Sequence, residues 1–166
     1  NEGNRFLARQ SRREVLPYDD VLLEVPDLRS QTPELAEAGE LREQLEGHSA
    51  TTVMNGDNFG PVTLFRVYPD EVDTFSTPDQ ERRDPAMREV LRRHNDYNRR
   101  IFDLIQADAL QGKGVVISLT DCYRTSDYGE PINALKSYIL SPFSETRHVQ
   151  AVLDSIWKAR RDVEWP

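Results

Sequence analysis

Residues 115–140 read VVISLTDCYRTSDYGEPINALKSYIL. A continuous apolar run, 115–119, and a second strand-like run, 133–140, flank the polar stretch 120–131. Ser126, Asp127, Gly129 and Pro131 supply turn chemistry within that stretch. Short apolar runs bounded by such residues predict two strands, and so close a connection predicts antiparallel pairing. Helical patterns lie on both sides. Upstream, Met87, Val90, Leu91, His94, Tyr97, Ile101, Leu104 and Ile105 recur at intervals of three and four, until Gly112 and Gly114 bracket the end. Downstream, Ser141-Pro142 stops the second strand. Val149, Val152, Leu153, Ile156 and Trp157 then form an apolar stripe over 145–161, with Ser144 expected as the cap.

Farther out, residues 62–68 (VTLFRVY) predict another strand, stopped by Pro69 and preceded by a turn over 55–61. Residues 70–85 carry many charges together with Pro78 and Pro85, and are expected to form a surface loop. Thr32-Pro33 suits a helix start, Leu35, Ala38, Leu41 and Leu45 share one face, and Gly47 suits the stop. Glu34, Glu37, Glu40 and Glu43 are expected on a solvated outer face. Residues 21–25 (VLLEV) suit a short strand, and 1–13 a helix anchored only by Phe6 and Leu7. The order from residue 62 is strand, helix, strand, strand, helix. The fold expected is α+β: an antiparallel sheet of three to four strands, covered by helices on one face and preceded by an N-terminal helical arm. The chain divides into an arm over 1–58 and a domain over 59–166.

Composition narrows the function classes. The net charge is -8 over 166 residues, which disfavours nucleic acid as a partner, because phosphate binding needs clustered positive charge. No apolar run approaches the ~20 residues of a membrane helix, and residues 1–10 lack the basic-then-apolar pattern of a secretory signal. That start reads as a cut end. Cys122 is the only cysteine, so no intrachain disulfide forms, in keeping with a reducing cytoplasm. His48, His94, His148 and Cys122 lie too far apart for zinc-ligand spacing, and no metal is expected. The only lysines are Lys113, Lys136 and Lys158, which leaves few candidates for Schiff-base chemistry.

The stretches 116–124 (VISLTDCYR), Tyr128-Gly129 and 134–143 (ALKSYILSPF) resemble the closing domain of the glutamate, aromatic-amino-acid and diaminobutyrate decarboxylases. These are group II pyridoxal-phosphate enzymes of the aspartate-aminotransferase fold, fold-type I. Residues 59–69 (FGPVTLFRVYP) resemble an earlier strand of the same domain, and the resemblance spans about residues 59–160. It implies the C-terminal part of a carboxy-lyase of amino-acid metabolism. Such a part would close the active-site cleft and meet both the large cofactor-binding domain of its own polypeptide and the second subunit of a homodimer. It further implies that pyridoxal 5'-phosphate forms its imine elsewhere. In that family the lysine follows a histidine, and this sequence has no His-Lys pair. No cofactor-binding or catalytic residue is therefore expected here, and the chain alone is expected to be inactive.

Lys136 falls where glutamate decarboxylases of that family carry an arginine that grips a substrate carboxylate. A lysine there is a point charge without the bidentate fork, so the substrate does not transfer with the resemblance. Tyr123 and Arg124, at a strand end entering a polar loop, are the other candidates for contact with a small amino-acid substrate. Arg66, mid-strand among apolar residues, calls for an acidic partner. His94 is expected to be a hydrogen-bonded core histidine, and Cys122 a small packed residue. Two other functions stay open on the residues alone: a stand-alone α+β binding module, and the same domain of a pyridoxal-phosphate transaminase.

Overall fold

In the computed structural model, residues 33–56, 60–140 and 143–165 are described. The chain runs α1 (Pro33–Glu46), β1 (Thr51–Val53), β2 (Val62–Val67), α2 (Thr77–Arg83), a 3-10 turn (Pro85–Met87), α3 (Arg88–Leu110), β3 (Ser118–Thr125), β4 (Pro131–Tyr138) and α4 (Thr146–Asp162). The strands form one four-stranded sheet of order β1-β2-β4-β3, and every pairing is antiparallel. The expected α+β architecture is present. The strand and helix expected within residues 1–31 lie outside the described residues.

Alternation along the strands sorts the side chains. Phe65 faces Leu135, which in turn faces Leu119 in the register. With Val67 and Ile139 they form the sheet's contribution to the core. Ala38, Leu41 and Leu45 of α1, Tyr97, Ile101 and Ile105 of α3, and Val149, Leu153 and Ile156 of α4 pack onto that face. Each such aliphatic side chain contributes about 1.5–3 kcal/mol on full burial. The opposite face carries Leu64, Ala134 and Lys136.

Several boundaries differ from the sequence expectation. β3 begins at Ser118 and runs through the polar segment TDCYRT, so the apolar run 115–117 precedes the strand. Strand pairing depends on main-chain hydrogen bonds with β4, and Thr120, Arg124 and Thr125 keep their register partners despite their polarity. The segment 70–85, expected as loop, holds α2, which starts with Pro78 in its first turn, where proline is tolerated. β1 is three residues long and carries no pattern of its own. α4 starts one residue later than expected, and its cap is Glu145 rather than Ser144: the Glu145 N–H donates to His148 Nδ1 at 2.9 Å. Leu104 is exposed rather than core. Glu37, expected in solvent, is buried between α1 and its neighbours. Cys122 is exposed, because β3 is an edge strand.

Where β2 leaves β4, polar side chains replace the ladder. Pairing between them extends only to Phe65 opposite Leu135. Beyond it, Asn98 of α3 imitates a neighbouring strand. It accepts from the Val67 N–H at 2.9 Å and donates Nδ2 to the Val67 carbonyl at 2.9 Å. Buried backbone groups need such partners.

Candidate functional site

Lys136 sits in mid-β4, between Leu64 of β2 and Ser118 of β3, on the sheet face turned away from the core. It is half-buried, and its Nζ lies 5.5 Å from the ring centroid of Tyr138, two residues along the same face. The strand fixes the position of this cation, because its main chain is held from both sides. The Tyr138 phenol is held below its ordinary value, first by hydrogen bonding with Lys136. The face therefore presents an ammonium flanked by an aromatic ring, over a floor of Leu64 and Ala134. Such a group orients an anion and does not by itself move a proton.

Tyr123 and Arg124 stand at the other end of the β3–β4 hairpin. Arg124 pairs with Ile132, four residues along β4 from Lys136, or about 13 Å. Their main-chain positions are thus separate along the hairpin. Between Thr120 and Arg124 the register shifts, so residues 121–123 form a bulge. Bulges re-aim side chains at sheet edges. Here the bulge leaves Asp121 outward, paired with Arg99 of α3, and Tyr123 half-buried, with the Arg124 guanidinium 5.8 Å from its ring centroid. Burial pushes the Tyr123 phenol up, against the pull of Arg124.

Behind the hairpin lies a buried polar network centred on Arg66. Its guanidinium is fully buried. Nη2 meets Glu81 Oε1 at 3.4 Å, and Nη1 donates to the Asn133 carbonyl at 2.7 Å, Asn133 Oδ1 at 3.0 Å and Asn95 Oδ1 at 2.9 Å. Nε donates to the Tyr68 hydroxyl at 3.2 Å, and that hydroxyl donates to Glu81 Oε2 at 3.2 Å. His94 Nδ1 completes the set on Glu81 Oε1. Arg66 has the acidic partner the sequence called for, and His94 is the hydrogen-bonded core histidine expected. Glu81 is the residue that sequence reasoning missed, since it lies in a segment taken for loop. The network ties α2 to the sheet. Further bonds tie α2 to the β3–β4 turn, where the Asp127 N–H donates to the Arg82 carbonyl at 2.8 Å and the Tyr128 hydroxyl to the Glu81 carbonyl at 2.6 Å. Each guanidinium nitrogen of Arg66 thus has a partner within the domain.

A cleft of about 900 Å³ opens between the loop 69–73, α3 and the end of α4. The Asp70–Arg160 pair at 2.7 Å lies on its wall, and Trp165 packs on His94 and Tyr97 there, with ring centroids 5.0 and 5.6 Å apart. Among the described residues, no group of three or more His, Cys, Asp or Glu is arranged to hold a metal ion. No described helix is long and apolar enough to cross a membrane.

No family model matches the chain, and no curated protein matches it. Solved structures do. Tryptophan decarboxylase of Catharanthus roseus, solved in complex with L-tryptophan, is similar over 78% of this chain and 22% of its own, with a TM-score of 0.52 and 20% identity. The 4-hydroxyphenylacetaldehyde synthase of Rhodiola rosea matches over the same shares, with a TM-score of 0.51 and 15% identity. Mouse CSAD in apo form matches with a TM-score of 0.56 and 11% identity, over 78% of this chain and 23% of its own. At these identities the likeness is one of fold. The chain spans between a fifth and a quarter of the length of the structures it matches.

Proposed function

We propose that this chain is the C-terminal small domain of a pyridoxal-phosphate-dependent amino-acid decarboxylase. There it closes the active-site cleft, contributes to binding of a small amino-acid substrate and takes part in homodimer assembly. What carries the proposal is the likeness in fold to decarboxylases over 78% of the chain, agreeing with the resemblance of residues 59–160 in sequence. Lys136 is assigned to the substrate's distal anionic group, because a half-buried ammonium on the sheet face has a Coulombic preference for one. Tyr123 and Arg124, about 13 Å away along the hairpin, are assigned to the cleft rim.

The residues of this chain do not fit the cofactor itself. Lys113 is exposed after α3 and donates to Gln111 Oε1 at 3.2 Å. Lys158 pairs with Asp108, and Lys136 stands on a sheet surface beside Tyr138. In this proposal the cofactor belongs to the remainder of a full-length polypeptide, and the 166 residues are catalytically incomplete.

The test uses the full-length enzyme. Released carbon dioxide and the organic product, amine or aldehyde, are measured with glutamate, diaminobutyrate, aspartate and aromatic amino acids. Amino-group transfer without carbon dioxide release sinks the decarboxylase assignment. Lys136→Ala is expected to raise KM for an anionic substrate roughly tenfold or more, as loss of a charged contact does, while the thermal unfolding midpoint stays within a few degrees. An unchanged KM removes Lys136 from substrate binding.

A further inference from the structure

Between α1, α4 and the end of β4 lies a small groove of about 240 Å³. Val116, Ile139, Val149 and Val152 give it apolar walls, and Ser137, Tyr138, Ser144 and His148 line it as well. Glu37 of α1 also lines it. The Glu37 residue is only 8% exposed, and its Oε2 has no hydrogen-bond partner. A buried acceptor without a donor is costly and calls for an explanation.

Among the described residues, no cation is hydrogen-bonded to Glu37 Oε2. Glu34 and Glu40 on the same helix and Glu145 at the start of α4 are acidic neighbours of Glu37, and His148, which also lines the groove, is a basic one. His148 Nδ1 already accepts the Glu145 N–H at 2.9 Å, and Arg147 pairs with Glu145 at 3.1 Å. Tyr138 also lines the groove. Burial raises the Glu37 carboxyl above its ordinary value, the three glutamates add to the rise, and His148 opposes it.

We infer that this groove binds a small primary alkylammonium, whose N–H groups meet Glu37 Oε2 and whose hydrocarbon body lies against Val116, Val149 and Val152. The carboxylate selects a cation with donor hydrogens, and the walls select an apolar body. The volume lies below the roughly 300–1,000 Å³ of sites for drug-sized ligands, which limits the guest to a short chain. Lys136 does not line the groove, and the inference does not rest on the decarboxylase proposal.

The 166-residue chain is titrated at pH 7.5 with n-pentylamine, 1-pentanol and pentanoate, followed by amide chemical shifts. The amine is expected to bind roughly tenfold or more tightly than the alcohol, with shifts clustered at Val116, Val149 and Val152, and pentanoate is expected not to bind. Glu37→Gln keeps the side-chain volume and is expected to abolish the preference for amine over alcohol. Lowering the pH through the titration of Glu37 is expected to weaken the amine in the native protein only. Equal affinity for amine and alcohol, no saturable amine binding, or a preference retained in Glu37→Gln overturns the inference. The ligand comparison on the unmutated chain needs no variant to fold.

Discussion

Removing Glu81 is expected to cost this domain a large share of its stability. Glu81 Oε1 faces Arg66 Nη2 at 3.4 Å and also takes His94 Nδ1, while Oε2 takes the Tyr68 hydroxyl at 3.2 Å. Arg66 and Glu81 are 0% and 1% exposed at their side chains, so water cannot replace the lost partner. Glu81→Ala leaves a buried guanidinium without its counter-charge, a change that costs about 3–5 kcal/mol. At about 2–4 °C per kcal/mol for a domain of this size, the unfolding midpoint falls by about 6–20 °C. The remaining Arg66 bonds to Asn133 and Asn95 are neutral acceptors and do not offset the charge. The double variant Arg66→Met/Glu81→Leu removes both charges together. It still orphans the Asn133 carbonyl and the Tyr68 hydroxyl, so it remains less stable than the parent. Its cost is nevertheless expected to fall below the sum of the single changes by about 1–3 kcal/mol. Urea unfolding of the parent, Arg66→Met, Glu81→Leu, the double variant and Glu81→Ala, read by far-UV circular dichroism, closes the cycle. A loss below about 1 kcal/mol for Glu81→Ala, or strict additivity in the cycle, refutes a coupled buried pair.

Two further outcomes follow from the same region. Asn98→Ala orphans the Val67 N–H and carbonyl, both held at 2.9 Å, and is expected to cost about 2–4 kcal/mol in the same urea assay; Asn98→Asp keeps only the acceptor and is expected to recover part of that loss. Burial raises the Tyr68 phenol above its ordinary value of 10.0, and burial also raises Tyr97, Tyr123 and Tyr128. The folded state then holds protons that the unfolded chain releases, so this stability is complete below about pH 10 and declines as pH rises beyond it. Tyr68→Phe is expected to make that alkaline decline shallower, and an unchanged slope would show that Tyr68 titrates alike in both states.

The sequence by itself determined the elements whose apolar residues repeat with a regular period. α3 and α4 were legible because Leu91, Tyr97, Ile101 and Ile105, and Val149, Val152, Leu153 and Ile156, recur at helical spacing and are buried together. β2 was legible because it is a central strand rich in β-branched and aromatic residues, and β4 because the run 133–140 is bounded by Pro131 and Ser141-Pro142. The need of Arg66 for a partner was also readable, since burying a guanidinium alone is prohibitive. The tertiary structure decided the rest. β3 is an edge strand held by main-chain bonds to β4, so its polar outer residues carry no period-two signal, and the apolar run 115–117 falls outside it. β1 exists because β2 offers a free edge, and α2 exists because Glu81 is drawn onto Arg66. Glu37 belongs to a helix whose other glutamates stay at least partly in contact with solvent. It lines the groove between α1, α4 and the end of β4, and no local pattern along α1 encodes the approach of elements about a hundred residues away.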